Sequence, residues 1–217
     1  MLLDVFSNTG LPFLTRLLHG LVMIFCVLIS LSVHEASHGL AAYWGGDNTA
    51  KYSGRLSINP FHHLDLFGTL ALFLFGFGWA KPVPVNPWNF KNKKLGMVLT
   101  ALGGPVSNFI LGFIGYIGWT FINPDGIGAV IQLICYYLVI FNIGLGIFNL
   151  IPVPPLDGSK VLNAILPQKY YFKIMQYEKY GFIVLIILIN LPFFNSFLNS
   201  LRMGVLNFYD MIIQLFV

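Results

Sequence analysis

Long apolar runs constrain this chain more than any other feature of its sequence. The first run extends from Leu11 to Trp44 and contains no proline after Pro12. It exceeds the roughly 20 residues that a helix needs to cross a bilayer, and a moderate tilt accommodates the extra length. The 217-residue chain is 57% hydrophobic and 9% charged, whereas soluble domains contain about 25% charged residues. The sequence therefore predicts an all-α membrane protein, a polytopic helical bundle in a single domain spanning residues 1–217.

About four crossings are predicted, with an irregular region after the first. The helices are expected at about 11–44, 95–122, 128–151 and 180–200, and the tail from 203 is expected to lie on the membrane surface or extend the last crossing. The apolar part of 66–80 is too short to cross, and several prolines follow it. We therefore expect a small membrane-associated or re-entrant β element within 45–90. Three prolines break the chain again at the start of the segment 152–166, which contains Leu-Asp-Gly.

The distribution of basic residues predicts the orientation. Residues 81–94 contain four lysines and residues 167–179 contain three, whereas the connection at 122–127 contains neither lysine nor arginine. Cytoplasmic loops of membrane proteins are enriched in these residues, so both basic loops are expected to face the cytoplasm. The net charge of +4 is explained in this way, and no nucleic-acid partner is predicted.

The sequence HEASH, residues 34–38, places three ionisable residues in the first apolar run. His34 and His38 are four residues apart, so both imidazoles project from one face of a helix. This is the spacing of two zinc ligands, with Glu35 placed to act on a water molecule rather than to bind the metal. Chance placement gives this motif with a probability on the order of 10⁻³ in such a chain. Ionisable residues within a membrane helix are also costly and usually functional.

A catalytic zinc site needs a third protein ligand. Asp157 is the best candidate, because it follows a proline-broken helix whose backbone can fold back inward, and its depth then matches that of His34 if this segment is re-entrant. His34 lies about ten residues before the end of its helix, which is about 15 Å of helix length. The alternative is that Asp157 caps the helix expected to start near Gly158, which is a common use of aspartate. The predicted helix geometry favours the ligand, but both possibilities remain open at this stage.

The combination of three motifs resembles the site-2 protease family of intramembrane zinc metalloproteases. HExxH in an apolar helix is followed by GGPVSN at 103–108 and by NLIPVPPLDG at 149–158. GRLSINPFHHLD and WAKPVPVNP are similar to loops of compact bacterial and archaeal members, and the resemblance covers roughly residues 20 to 165. Unlike larger members, the chain carries no PDZ or CBS domain. Lys160 stands where glycine or arginine is common in the family.

The resemblance implies a role for each matching residue. His34, His38 and Asp157 match the zinc ligands, and Glu35 matches the general base. Asn149 matches an asparagine that positions the substrate carbonyl or stabilises the oxyanion. Asn108 matches an asparagine that supports the site or binds substrate. The 45–90 region matches a β element that can pair with an unwound substrate strand.

The expected function is zinc-dependent hydrolysis of peptide bonds in transmembrane segments, with one Zn²⁺ per chain. The expected partners are a transmembrane protein substrate and the lipid bilayer of a prokaryotic cell, with the active site toward the cytoplasm. Two alternatives remain. A metal transporter could use the same ligands, and a non-catalytic scaffold could bind membrane helices without cutting them. Glu35 distinguishes hydrolysis from these alternatives, because only hydrolysis needs a carboxylate beside the metal site.

Overall fold

A computed structural model describes residues 10–75 and 78–216. Three of its helices are long and apolar enough to cross a membrane: α1 (Phe13–Trp44), α4 (Lys93–Phe121) and α5 (Ile127–Asn149). Helix α4 packs against both α1 and α5, and α1 also contacts α5. The three helices therefore form the bundle that holds His34, Asn108 and Asn149.

The remaining helices are shorter or bent. They are α2 (Thr49–Tyr52), α3 (Leu66–Phe75), α6 (Asp157–Ile165), α7 (Gln168–Met175), α8 (Glu178–Ile189) and α9 (Pro192–Gln214). The predicted helix at 180–200 is thus two helices, which meet at an angle of 85° before Pro192. Within residues 10–75 and 78–216, a fourth crossing exists only if this bent pair is counted as one span. Proline lacks a backbone N–H and suits the first turn of a new helix, which explains the break.

The predicted β element is wrong for the part of the chain that the structure describes. Residues 45–90 contain α2, α3 and two single 3₁₀ turns there, and the only strand-like pairing is one antiparallel bridge between Leu64 and Ala80. The apolar residues of 66–75 form a helix, which at about 15 Å is too short to cross the bilayer. Pro82, Pro84 and Pro87 have no backbone N–H donor, so this stretch cannot complete a two-sided ladder.

The chain nevertheless turns back after α3, as a re-entrant segment must. A Cβ atom built on Gly68 would lie 2.1 Å from the carbonyl oxygen of Trp79. A Cβ on Gly78 would lie 2.0 Å from the carbonyl oxygen of Gly68. No larger side chain fits at these two positions, so the returning backbone lies directly against α3. Residues 76 and 77 are outside the described part.

Two buried charged side chains fix the proline-rich segment that follows. The Arg55 guanidinium donates hydrogen bonds to the carbonyl oxygens of His62, Lys81 and Pro82. Asp47 accepts hydrogen bonds from the backbone N–H of Asn86 at 2.7 Å and from Asn89 Nδ2 at 2.7 Å. The segment between Lys81 and Asn86 is therefore held at both ends by side chains rather than by a neighbouring strand.

Asp47 is suited to this anchoring role because it stays ionised. Burial alone would raise the pKa of Asp47, but hydrogen bonds from Thr49, Asn86 and Asn89 outweigh burial and hold the pKa below its usual range. Hydrogen bonds to a charged acceptor are stronger than those between neutral groups. The anchor is consequently charged and fully engaged at neutral pH.

Candidate metal centre

Helices α1 and α6 bring three potential metal ligands together. His34 and His38 project from one face of α1, and Asp157 is the first residue of α6. The turns at 150–156 carry the chain from the end of α5 back to this point. A Cβ on Gly158 would lie 2.3 Å from the carbonyl oxygen of Leu150, so glycine permits this tight return.

The three ligand atoms form a compact triangle. His34 Nε2 and His38 Nε2 are 3.0 Å apart, and they lie 3.2 Å and 3.0 Å from Asp157 Oδ2. A tetrahedral zinc ion with bonds of about 2.0–2.1 Å separates its ligand atoms by about 3.3 Å. All three side chains are buried. The triangle therefore has nearly the size that one zinc ion requires.

The other ring nitrogens determine what faces the centre of the triangle. His38 Nδ1 lies 2.7 Å from the carbonyl oxygen of Thr100, which can only accept a hydrogen bond. His34 Nδ1 lies 2.5 Å from Asn108 Oδ1. Both Nδ1 atoms therefore carry the proton, and both Nε2 atoms present a lone pair. Two lone pairs and a carboxylate oxygen face one another, an arrangement that a bound cation stabilises.

Asp157 uses its two oxygens differently. Oδ2 faces the imidazoles, whereas Oδ1 accepts a hydrogen bond from Lys160 Nζ at 2.9 Å. Among the hydrogen bonds of the described residues, none joins this carboxylate to the backbone N–H groups of α6. The contacts thus favour the ligand over the helix cap, the two possibilities that the sequence left open. Lys160 leaves one oxygen for a metal and holds the other.

A cavity of about 560 Å³ opens beside the triangle. Glu35 and Asn149 both line the cavity, and neither is fully buried. Asn149 Nδ2 donates to the carbonyl oxygen of Leu145 at 3.0 Å, and among the described residues its second N–H has no hydrogen-bond partner. Asn108 does not line the cavity. It is completely buried, and its contact with His34 favours a supporting role over contact with substrate.

The structure also shows contacts that the motifs did not predict. Three of the residues lie outside the motifs: Thr100, whose carbonyl oxygen contacts His38; Lys160, which holds Asp157; and Asn142, which contacts Asn108. Gly104 belongs to the GGPVSN motif, and the structure adds that it lies against both imidazoles. A backbone carbonyl leaves no signal in a sequence. Asn142 does leave one, because a polar amide within an apolar run needs a partner.

Gly104 provides a direct test of the site geometry. A Cβ at this position would lie 2.5 Å from His38 Nε2 and 2.6 Å from His34 Cε1. We expect Gly104→Ala to displace both imidazole rings and to weaken zinc binding by about 10–100-fold, the range seen when a residue that supports a metal ligand is changed. Chelator competition on the purified protein measures this affinity. Gly204→Ala is the matched control, because a Cβ on Gly204 meets nothing within 4 Å. Parent-like affinity in Gly104→Ala would show that the rings are not held as described.

Comparison with known proteins identifies the family. A sequence profile of Peptidase family M50 matches residues 126–191. The Bacillus subtilis protein named "Putative zinc metalloprotease YwhC" is 37% identical over 203 residues, covering 88% of this chain and 92% of that protein. Rip2 of Mycolicibacterium smegmatis, which carries the same description, is 25% identical over 80% of this chain and 68% of its own length.

More distant similarity reaches the archaea. Zinc metalloprotease MJ0392 of Methanocaldococcus jannaschii is 28% identical over 74% of this chain and 39% of that protein. No solved structure gives a significant match. The chain belongs to peptidase family M50, the site-2 protease family of zinc metalloproteases. Its three long apolar helices and this membership make it an integral membrane protein, and the triangle of His34, His38 and Asp157 could hold the family's zinc ion.

Proposed function

We propose that this protein is a zinc-dependent endopeptidase that hydrolyses peptide bonds within transmembrane segments of other proteins. The observation that carries the proposal is the triangle of two Nε2 lone pairs and a carboxylate oxygen, built between apolar helices and open to a cavity with its own carboxylate. A metal centre at this position is suited to a substrate that is itself embedded in the membrane.

His34, His38 and Asp157 are the proposed zinc ligands, and Glu35 is the proposed general base. Zinc, when bound, polarises the scissile carbonyl and lowers the pKa of water to about 7. Glu35 lies next to His34 in sequence and lines the cavity, so it can accept a proton from the attacking water molecule. It can then donate that proton to the leaving amine, as a general acid.

Asn149 is the proposed contact for the substrate carbonyl. Asn149 lines the cavity, and its side-chain amide retains one N–H that Leu145 does not engage. A fixed N–H donor at the position where negative charge develops stabilises the transition state. This role requires Asn149 to contact the reacting group, whereas buried Asn108 acts only through His34.

The proline-rich segment is the proposed binding edge for an unwound substrate. Val83 and Val85 line the cavity, and Arg55 and Asp47 fix the segment on either side. Alternate residues of an extended chain point to the same side, so the N–H and C=O groups of these two valines form a common edge. An unwound substrate can replace its lost helical hydrogen bonds by pairing with this edge.

The proposed location is the membrane of a prokaryotic cell, with the centre toward the cytoplasm. The relatives come from two bacteria and an archaeon. The lysine-rich loops at 81–94 and 167–179 support the orientation. Both loops lie at the same ends of α4 and α5 as Asp157, which supports a metal centre nearer the cytoplasmic face.

Cleavage in reconstituted vesicles tests the proposal. The parent protein is expected to cut a single-pass reporter within its membrane segment, as mass spectrometry of the fragments would show. A zinc chelator is expected to stop cleavage, and added zinc to restore it. Cleavage only in extramembrane loops would contradict the intramembrane site. A zinc-loaded parent that cuts none of a panel of single-pass reporters would instead favour the transporter or the scaffold, which vesicle zinc uptake distinguishes.

A further inference from the structure

A chain of hydrogen-bonded side chains extends from the metal centre into the helical bundle. Ser30 of α1, Asn108 of α4 and Asn142 of α5 are each 0% exposed. Asn108 Nδ2 donates to Asn142 Oδ1 at 2.7 Å, and Asn142 Nδ2 donates to Ser30 Oγ at 2.8 Å. Ser30 in turn donates its hydroxyl proton to the carbonyl oxygen of Cys26 at 2.7 Å. Through Asn108 Oδ1 the chain ends at His34.

The carbonyl oxygen of Cys26, at the end of this hydrogen-bond series away from His34, determines which group donates in each of its hydrogen bonds. The Cys26 carbonyl can only accept, so the single hydroxyl proton of Ser30 is used there and Ser30 Oγ must accept from Asn142. The Leu138 carbonyl, 2.8 Å from Asn142 Nδ2, imposes the same requirement. Asn142 therefore turns its NH₂ group toward two acceptors and its oxygen toward Asn108.

The orientation of the Asn142 amide determines that of the Asn108 amide, which contacts His34 at the metal centre. Because Asn142 presents an oxygen at 2.7 Å, Asn108 must present its own NH₂ group there and its oxygen to His34. The backbone carbonyl oxygen of Ser30, 3.4 Å from Asn108 Nδ2, is a second and longer contact that favours the same orientation. Reversing the Asn108 amide would place two NH₂ groups against each other and leave buried groups unpaired, which costs about 1–3 kcal/mol per group. It would also remove the acceptor for His34 Nδ1–H and favour the tautomer with a proton on Nε2. That tautomer cannot bind a metal through Nε2.

We propose that Asn142 is a positioning residue, which holds the Asn108 amide in one orientation and thereby fixes His34 in its metal-binding tautomer. This inference rests on the proposed function, because it assumes that His34 binds zinc. It assigns a role to a residue that lies outside all three family motifs and does not line the cavity. Metal-bound histidines commonly need such a partner for the second ring nitrogen.

The alternative is that Asn142 only joins helices, as polar residues do in membrane proteins. Asn108→Asp separates the two roles. A carboxylate has two equivalent oxygens, so it accepts from His34 Nδ1–H without needing an orientation that Asn142 sets. If Asn142 acts by orienting residue 108, its replacement should matter when residue 108 is asparagine and matter little when it is aspartate. A purely structural contact would give no such rescue.

The experiment is a double-mutant cycle with zinc affinity as the readout, measured by chelator competition on the full-length protein in detergent. Asn142→Leu is expected to weaken zinc binding by about 10–100-fold. In a protein that already carries Asn108→Asp, Asn142→Leu is expected to weaken zinc binding by less than about threefold, so that most of the loss is rescued. Ser30→Ala is a milder second variant for the case in which Asn142→Leu fails to fold. It removes one of two acceptors for Asn142, so a smaller loss is expected, again rescued by Asn108→Asp.

Two results would overturn the inference. One is parent-like zinc affinity in a folded Asn142→Leu variant. The other is an equal loss of affinity with asparagine or aspartate at position 108, which would indicate helix packing alone. The readout does not depend on peptidase activity. A parent that binds zinc but cleaves nothing would refute the proposed function and leave the positioning role standing. If the parent cleaves its substrate but the Asn142→Leu variant binds zinc normally, the proposed function stands and the positioning role is refuted.

Discussion

Glu35→Gln is expected to abolish peptide hydrolysis while zinc binding stays at the parent level. Glutamine has nearly the same shape as glutamate but cannot take a proton from water at neutral pH. Glu35 lines the cavity and is not one of the three clustered ligands, so the metal centre should remain intact. A positioned acid–base group contributes about 10²–10⁴-fold to a rate, and a loss in this range is expected.

The measurement pairs a cleavage assay with metal analysis of the same preparation. Glu178→Gln is the matched control, because Glu178 is an exposed glutamate in the first turn of α8 and is expected to be dispensable. Cleavage by Glu35→Gln at the parent rate would refute the assigned mechanism. Loss of zinc from this variant would show instead that Glu35 is a ligand. In cells, membrane fragments that accumulate in a Glu35→Gln strain would identify the substrate.

Asp157→Asn is expected to lose zinc, and with zinc all activity. The substitution keeps the size of the side chain but removes the negative charge that faces both imidazoles. It also leaves the ammonium group of Lys160, now 2.9 Å from Asp157 Oδ1, without its carboxylate near the cation site. Removing a residue that only hydrogen-bonds to a metal ligand already weakens metal binding by about 10–100-fold. A greater loss of zinc affinity is therefore expected when a ligand itself is replaced.

Metal analysis and chelator competition check this expectation, with Asp125→Asn as the control. Asp125 is exposed in the turn between α4 and α5, where removing one charge should leave zinc affinity unchanged. A fully loaded Asp157→Asn variant would mean that the third ligand lies elsewhere. The variant also separates the two readings of Asp157, because a helix cap would affect folding and leave zinc affinity unchanged.

The sequence predicted those parts of the protein that depend on local pattern. The lengths of the apolar runs predicted α1, α4 and α5. The four-residue spacing of His34 and His38 predicted that their imidazoles, two of the three clustered ligands, lie side by side. The position of Asp157 came from the proline-broken helix before it together with the family motif. These features are set by hydropathy and helical periodicity, which act within a few turns of chain.

Features that depend on contacts between distant segments were predicted less well. The region 45–90 was interpreted as β structure because prolines and short polar motifs interrupt it, whereas its order comes from the side chains of Arg55 and Asp47. The apolar run at 180–200 predicts one helix, whereas the structure has two, α8 and α9, which meet at an angle of 85°. A Cβ on Gly181 would lie 1.7 Å from the Pro154 carbonyl oxygen, and Leu185 is 0% exposed. Helix α8 therefore packs against the segment that carries Asp157.

The contacts around the imidazoles show the same limit. Thr100 contributes only a backbone oxygen to His38, and Gly104 contributes only the absence of a side chain. The Thr100 contact is not visible as a local pattern, and the motif that contains Gly104 does not show what this glycine lies against. Asn108 and Asn142 are polar residues in apolar runs and can be singled out on that ground, but their order and direction become clear only when three helices are placed together.

Zinc K-edge X-ray absorption on the purified protein tests whether one zinc ion is bound by His34, His38 and Asp157. The expected spectrum contains only nitrogen and oxygen neighbours at about 2.0–2.2 Å, with outer-shell scattering from two imidazole rings. Asp157→Asn should change or abolish this spectrum, and Glu35→Gln should preserve it. Sulfur scattering at about 2.3 Å, which would implicate Cys26 or Cys135, or a spectrum without two imidazoles, would contradict the account.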